Sequence, residues 1–528
     1  MNKNIVIGGA WPYANYSLHL GHLAGLISGD VLARYHRIIG DNVLYVSGSD
    51  CHGTPITERA KKEGKTPEEI ATYYHEEFVK TFKLINFSYD VYSKTTTEYH
   101  SKKTQEIFKK LYDNGYIYEK LEPQAYCEKC NKFLQDREIQ IKCPKCGEET
   151  KADQCDNCGH TPSVEELKGG ICRECGSATI EKENKNLYFA LSKFQNEIQA
   201  NTDKNKNFWR INAQNETMKY LKQGLLDRAV TRDLDWGVDI PLSGYENKKM
   251  YVWIEAVLGY VTDVMKYCEE NNMNYEDFLK EGHNNKIYMC HGKDNIVFHS
   301  VILNGLLLGL KENYHLVDTI VSTEYLNIND EKISKSKGNG ITTLEMLEKY
   351  NSDSLRFHFI SNGPEKKDTN FTLADFERTH NNEILNKFGN LVNRTLKFKG
   401  MEEVPNGVLD ENVENEIEKT YKDVSRAIES LEFKSAIEKV MDLVEFGNKY
   451  YDEKQPWIQK KEDIEGFNNT IYNCTNIIAN LSNLFEPFMP ASCTKIREYL
   501  AIEDKKWEKI HATPGIRLDN IEPLFTRI

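Results

Sequence analysis

Residues 4–9 (NIVIGG) make a short apolar run. Residues 18–39 carry helical periodicity that stops at Gly40, and residues 43–47 (NVLYV) make a second apolar run. Strand, helix, strand at this spacing predicts a βαβ unit, which commits the start of the chain to a parallel sheet. In such sheets ligands sit beyond the C-terminal ends of the strands. The loop at 10–22, and Ser49 and Asp50 at the end of the second strand, therefore fall where a site belongs. Apolar runs at 250–260, 286–291 and 318–326 read as further elements of the same sheet domain.

That domain does not fill the chain. With 528 residues the sequence is too long for one core, so two to four domains are expected. Residues 122–180 interrupt the α/β pattern and are rich in Cys, Gly, Lys and Glu. From about Leu373 strand signals give way to long periodic segments, such as 381–399 and 414–452, which predicts a helix bundle. No apolar stretch is long enough to span a membrane. The N-terminus, MNKNIVIGGAWPY, lacks the layout of a signal peptide, so a cytoplasmic location is expected. The net charge of −13 excludes a uniformly basic surface but leaves room for a local Lys/Arg stripe on RNA.

Two motifs carry nucleotide chemistry. His19-Leu20-Gly21-His22 opens the first helix, where free N–H groups and the helix dipole suit phosphate. Gly21 lets a base or ribose approach the backbone. Lys332-Ile333-Ser334-Lys335-Ser336, followed by KGNG, reads as a loop able to close on a triphosphate. Either motif alone is weak, since paired histidines and basic loops are common. No Walker-type loop or GxGxxG competes for the role.

Eight of the 13 cysteines fall in four Cys-x-x-Cys pairs within 49 residues: Cys127/Cys130, Cys143/Cys146, Cys155/Cys158 and Cys172/Cys175. Two such turns complete a closed tetrahedral Zn²⁺ site, so eight ligands make two structural sites. The spacing does not say which pairs share an ion.

HxGH at the first βα turn and KxSKS about 310 residues later resemble the two signatures of class I aminoacyl-tRNA synthetases. The runs AWPYANYSLHLGH (10–22), HGTPI (52–56), VTRDLDWG (230–237), YVWIEAVLGY (251–260) and GKDNIVFH (292–299) are similar to methionyl-tRNA synthetases, and the likeness reaches the closing PLFTRI. It implies a Rossmann-like α/β catalytic domain at 1–115 and 226–330. A zinc-binding insertion would occupy 116–225, the KISKS loop and a connecting segment 331–372, and a helical anticodon-binding domain 373–528. The implied reaction is activation of L-methionine with ATP and Mg²⁺ to methionyl-adenylate and pyrophosphate, then transfer to tRNA(Met).

By the same resemblance His19 and His22 hold phosphates, with Gly21, Gly292 and Asp294 on the nucleotide. Lys332 and Lys335 neutralise the departing pyrophosphate. Ala10, Trp11, Tyr13, Asp50, Trp253, Ala256, Tyr260 and His299 form the methionine pocket. Asp50 can pair with an ammonium, and aromatic rings suit a thioether. Asn390, Arg394 and Trp457 resemble anticodon readers, with Lys387, Lys397 and Lys399 nearby for phosphates. The resemblance implies nested zinc pairing, Cys143/Cys146 with Cys155/Cys158 and Cys127/Cys130 with Cys172/Cys175. It also implies a monomer, because the chain ends at PLFTRI without the further C-terminal domain of many relatives. Trp11 stands where many members have Leu, Val257 where Pro is usual, and Glu255 replaces a common Asp. A binding protein that has given up catalysis, a zinc-ribbon nucleic-acid binder and a sister enzyme for another apolar amino acid are the competing readings. Intact HLGH, KISKS and Asp50 weigh against the first. The second leaves the sheet motifs unexplained.

Overall fold

A computed structural model describes residues 2–134, 138–152, 166, 169–329, 341–503 and 505–528, with the backbone of 331 and 332. The first apolar run forms β1 (Asn4–Gly9), followed by helix α1 (Leu20–Ile38) and strand β2 (Asn42–Ser49). Strand β3 (Val91–Lys94) follows two more helices. The chain returns to this sheet with β6 (Asn285–Gly292) and β7 (Thr319–Thr323), giving the order β7-β6-β1-β2-β3, with every neighbouring pair parallel. Because β1 has β2 on one side and β6 on the other, strand order reverses there. The crevice beyond the ends of β1 and β6 is the topological switch point.

Between β3 and β6 lies the insertion. Strands β4 (Ile117–Cys127) and β5 (Ile180–Phe189) pair antiparallel from Ile117↔Phe189 to Tyr126↔Ile180 and form its stalk. The run at 251–260 becomes the first half of helix α2 (Val252–Glu270), which packs on the sheet. After β7 come β8 (Leu326–Ile328) and β9 (Glu331–Lys332), an antiparallel pair that also takes β10 (Thr369–Phe371) in parallel. Among the described residues no strand follows Phe371. The helical end is built around α3 (Ser352–Asn362), α4 (Glu411–Glu429), α5 (Phe433–Lys454), α6 (Pro456–Glu462) and α7 (Ile464–Leu484).

The periodicity of 18–39 reads as an amphipathic helix, yet α1 is buried on nearly every face, including Ser28, Asp30 and His36. The sheet covers one side and α3 the other. One apolar core runs from Ile5 through α1 to Phe525, while a second lies on the opposite face of the sheet under α2. No helix of the described residues is long and apolar enough to cross a membrane.

Candidate active site

Loop 10–19 is tied to the end of β2. The Asp50 N–H donates to the Pro12 carbonyl (2.9 Å) and the Ala14 N–H to the Asp50 carbonyl (2.8 Å). Next to it the HLGH histidines cap α1. The His19 N–H donates to His22 Nδ1 (3.1 Å), and the two rings stack at 3.7 Å. His19, Gly21 and His22 line the crevice, so the first turn of α1 and its positive end face it.

Residues 333–340 lie outside the described residues, and with them Lys335; of Lys332 only the backbone, in β9, is described. Both flanks of the loop are nevertheless placed. On its far side the Leu20 N–H donates to the Ile341 carbonyl (3.4 Å), and the Thr343 N–H donates to the Leu18 carbonyl (2.7 Å). Thr342 and Glu345 close a reciprocal capping box that fixes this end. The fold thus brings the flank of one motif against the other.

A cavity of 330 Å³ opens between the ends of β1 and β6. Ala10, Trp11, Tyr13, His19, Gly21, His22, Trp253, Gly292 and Asp294 all line it. Asp50, Ala256, Tyr260 and His299 are buried behind this lining. Tyr13 meets Trp253 edge-on at 5.9 Å, and Trp253 stacks on Phe298 at 4.1 Å. The helix carrying His299 is wound with a π turn at Phe298–Ile302, a distortion common at functional sites. His299 Nδ1–H donates to the Asn295 carbonyl (2.8 Å), so its Nε2 accepts from the Tyr260 hydroxyl (2.8 Å). Burial pushes the His299 imidazole down to about 4, consistent with this neutral form.

Trp11 fits because two glycines face it. A Cβ on Gly48 would stand 2.6 Å from the indole, and one on Gly259 2.5 Å. The Asp50 carboxyl sits well above the usual carboxylate range because of burial, and the nearby Glu255 adds to the effect. Its Oδ1 accepts the His52 N–H at 3.3 Å.

The motif pattern missed His291, Asn295, Glu324 and Tyr325, which also line the cavity. His291 and Asn295 belong to the same HGKDN run as Gly292 and Asp294, so proximity could have found them. Tyr325 carries no such signal; its hydroxyl donates to the Asp294 carboxylate.

In the insertion, the Sγ atoms of Cys127, Cys130, Cys172 and Cys175 all lie within 4.8 Å of one another. Cys127 and Cys175 approach to 3.4 Å, Cys130 and Cys172 to 3.8 Å. A tetrahedral Zn²⁺ with Zn–S bonds of about 2.3 Å needs sulfurs roughly 3.8 Å apart, so this set fits the ion. Cys155 and Cys158 lie outside the described residues. In the helical end, Trp457 is 47% exposed, with Tyr451 6.1 Å away. Arg394 lies over the Tyr451 ring and is held by Asp452 (2.7 Å) and the Asn448 carbonyl (2.7 Å), one turn beyond the exposed Asn390. Lys387 is bound to Glu383 and Glu445, both at 2.7 Å, instead of standing free for a phosphate.

A switch-point cavity, flanked by a histidine-capped helix and by the anchored end of a KISKS loop, defines a class I aminoacyl-tRNA synthetase. The family described as "tRNA synthetases class I (M)" matches residues 5–396, and "Anticodon binding domain of methionyl tRNA ligase" matches residues 402–523. The chain is 48% identical over 533 residues to a methionine–tRNA ligase of Bacillus mycoides (strain KBAB4), covering 99% of this chain and 97% of that protein. It is 46% identical over 529 residues to methionine–tRNA ligase 1 of Alkaliphilus oremlandii (strain OhILAs), with coverage of 99% and 97%. The fold matches Mycobacterium tuberculosis methionyl-tRNA synthetase in complex with methionyl-adenylate at a TM-score of 0.81 and 22% identity, over 99% of this chain and 100% of that one. The chain belongs to the methionine–tRNA ligase family.

Proposed function

We propose that this chain activates L-methionine with ATP and transfers it to tRNA(Met). The observation that carries the reading is the convergence, on one cavity, of HLGH, the aromatic cup and the anchored flank of the KISKS loop. A methionine carboxylate oxygen attacks the ATP α-phosphorus, the bond to the β-phosphate oxygen breaks, and pyrophosphate leaves. A terminal ribose hydroxyl of tRNA then attacks the methionyl carbonyl, and AMP departs.

The reading gives each residue a task. Asp50 takes the ammonium. Ala10, Trp11, Tyr13 and Trp253 enclose the side chain, backed by Ala256 and ordered by the Tyr260–His299 hydrogen bond. His19 and His22, at the positive end of α1, meet phosphate, while Gly21 and Gly292 let the nucleotide lie against backbone. Asp294, oriented by Tyr325, takes the ribose. Lys332 and Lys335 balance charge on the departing pyrophosphate. Mg²⁺ travels with ATP and screens its phosphates. Asn390, Arg394 and Trp457 read the anticodon.

The same reading carries the domain boundaries set out above, a cytoplasmic monomer and two structural zinc ions. Cys143 and Cys146 would hold the second ion with Cys155 and Cys158. Amino-acid-dependent ATP–pyrophosphate exchange tests the core of it. Exchange with methionine alone among the twenty amino acids is expected; exchange with another would redirect the pocket, and none would overturn the reading.

A further inference from the structure

Behind the methionine pocket lies a buried carboxylate that the reaction does not use. Glu255 sits on α2 between Trp253 and Tyr260 and is 0% exposed. Its Oε1 accepts from His52 Nδ1 at 2.8 Å, and its Oε2 accepts from His100 Nε2 at 2.8 Å. The two histidines come from separate elements: His52 directly after β2, and His100 from the helix Glu98–Asp113.

Each histidine in turn touches a pocket residue. The His52 N–H holds the Asp50 carboxylate, and its ring lies 5.4 Å from Trp236, whose indole N–H donates to the Cys51 carbonyl (2.7 Å). The His100 ring lies 6.1 Å from Trp11, and its Nδ1 bonds Thr262 Oγ1 at 2.9 Å, back on α2. A carboxylate in this position is an uncompensated charge unless both partners are kept, so the three side chains are fixed as a unit.

We propose that Glu255 is a positioning residue for amino-acid binding: it ties His52 to His100 and so sets both Asp50 and Trp11 against the methionine. The inference rests on the pocket reading given above. Burial opposes ionisation of Glu255, yet the His52 and His100 side chains hold it below the usual glutamate range. It therefore stays a charged anchor beside Asp50. Glu255 is not part of the cavity wall, so its loss acts through its neighbours and on one substrate only.

Exchange kinetics on the full chain, varying methionine and ATP separately, test this. Glu255→Gln is expected to raise KM for methionine by about ten- to a hundredfold while KM for ATP stays within about twofold. Glu255→Asp, which keeps the charge but is one methylene shorter, should recover part of the loss. His100→Asn cuts only the arm to Trp11 and should give a smaller rise; it decides the matter if Glu255→Gln does not fold. Unchanged KM for methionine, or equal rises for methionine and ATP, overturns the proposal. Asp50→Asn separates the two levels. If it leaves methionine binding intact, the Asp50 reading falls. If it abolishes binding while the Glu255 and His100 variants are silent, only the clamp falls.

Discussion

Asp263 lies on α2 one turn beyond Tyr260, and its Oδ2 is buried without a hydrogen-bond partner. Burial pushes its carboxyl well above the usual range, against the smaller opposing effects of Ser93 and Lys266. The sign of the linkage follows. An unfolded Asp releases its proton near pH 4, while the folded one keeps it, so folding takes up a proton above that pH. Stability is therefore lost as pH rises from about 4 towards the folded value. Asp263→Asn fixes the neutral form and should stabilise by about 1–3 kcal/mol at pH 8, with a smaller gain at pH 5. Thermal melts at the two pH values check this, and a gain independent of pH would contradict it. Such residues also mark the limit of what the sequence discloses. Every lining residue assigned from motifs sits in a contiguous run. Glu255 meets His100 across 155 positions and His52 across 203, and nothing in the local pattern announces either contact.

The insertion shows the same division at the scale of elements. Its Cys-x-x-Cys turns are legible because two thiolates of one turn are a local feature. That Cys127/Cys130 meets Cys172/Cys175 is fixed by the long β4–β5 pairing, which only the fold supplies. Around this set the buried apolar residues are few among the described residues: Leu134, Ile139, Ile141 and Ala152 beside Cys127 and Cys172. A core this small does not hold a module by burial alone, so the ion is expected to supply its stability. Cys172→Ser, or treatment with a chelator, should add a low-temperature unfolding transition while molecules that remain folded keep methionine-dependent exchange. A metal-free protein with an unchanged melting curve would refute the structural role. Helix α1 was legible as a helix but not as a buried one. The element that covers its second face, α3, lies more than 300 residues further on.

At the scale of the whole molecule, the sheet domain and the helical end share one continuous core. Asp30 of α1 pins the junction. It accepts from Arg34 (2.8 Å), from Arg356 of α3 (2.6 Å) and from the Ser88 N–H (2.6 Å), while Arg356 also donates to the Phe488 carbonyl (2.8 Å). Burial opposes the charge on Asp30, but the two arginines hold its carboxyl well below the usual range. This contribution is present above pH 4 and is lost as pH falls below it. Two substitutions should then separate seating from reading. Arg356→Met leaves a buried carboxylate short of a partner and should cost about 3–5 kcal/mol, lowering a single cooperative transition. Trp457 is half exposed, so Trp457→Ala should leave the melting curve within about 0.5 kcal/mol. Loss of one stacked base is worth about 1–3 kcal/mol, so Trp457→Ala should reduce kcat/KM for charging tRNA roughly five- to 150-fold, with pyrophosphate exchange unchanged. Equal loss of charging and exchange in Trp457→Ala would remove this residue from the anticodon site. Two resolved transitions in Arg356→Met, with only the later one matching the parent, would show that the two halves fold as separate units despite their common core.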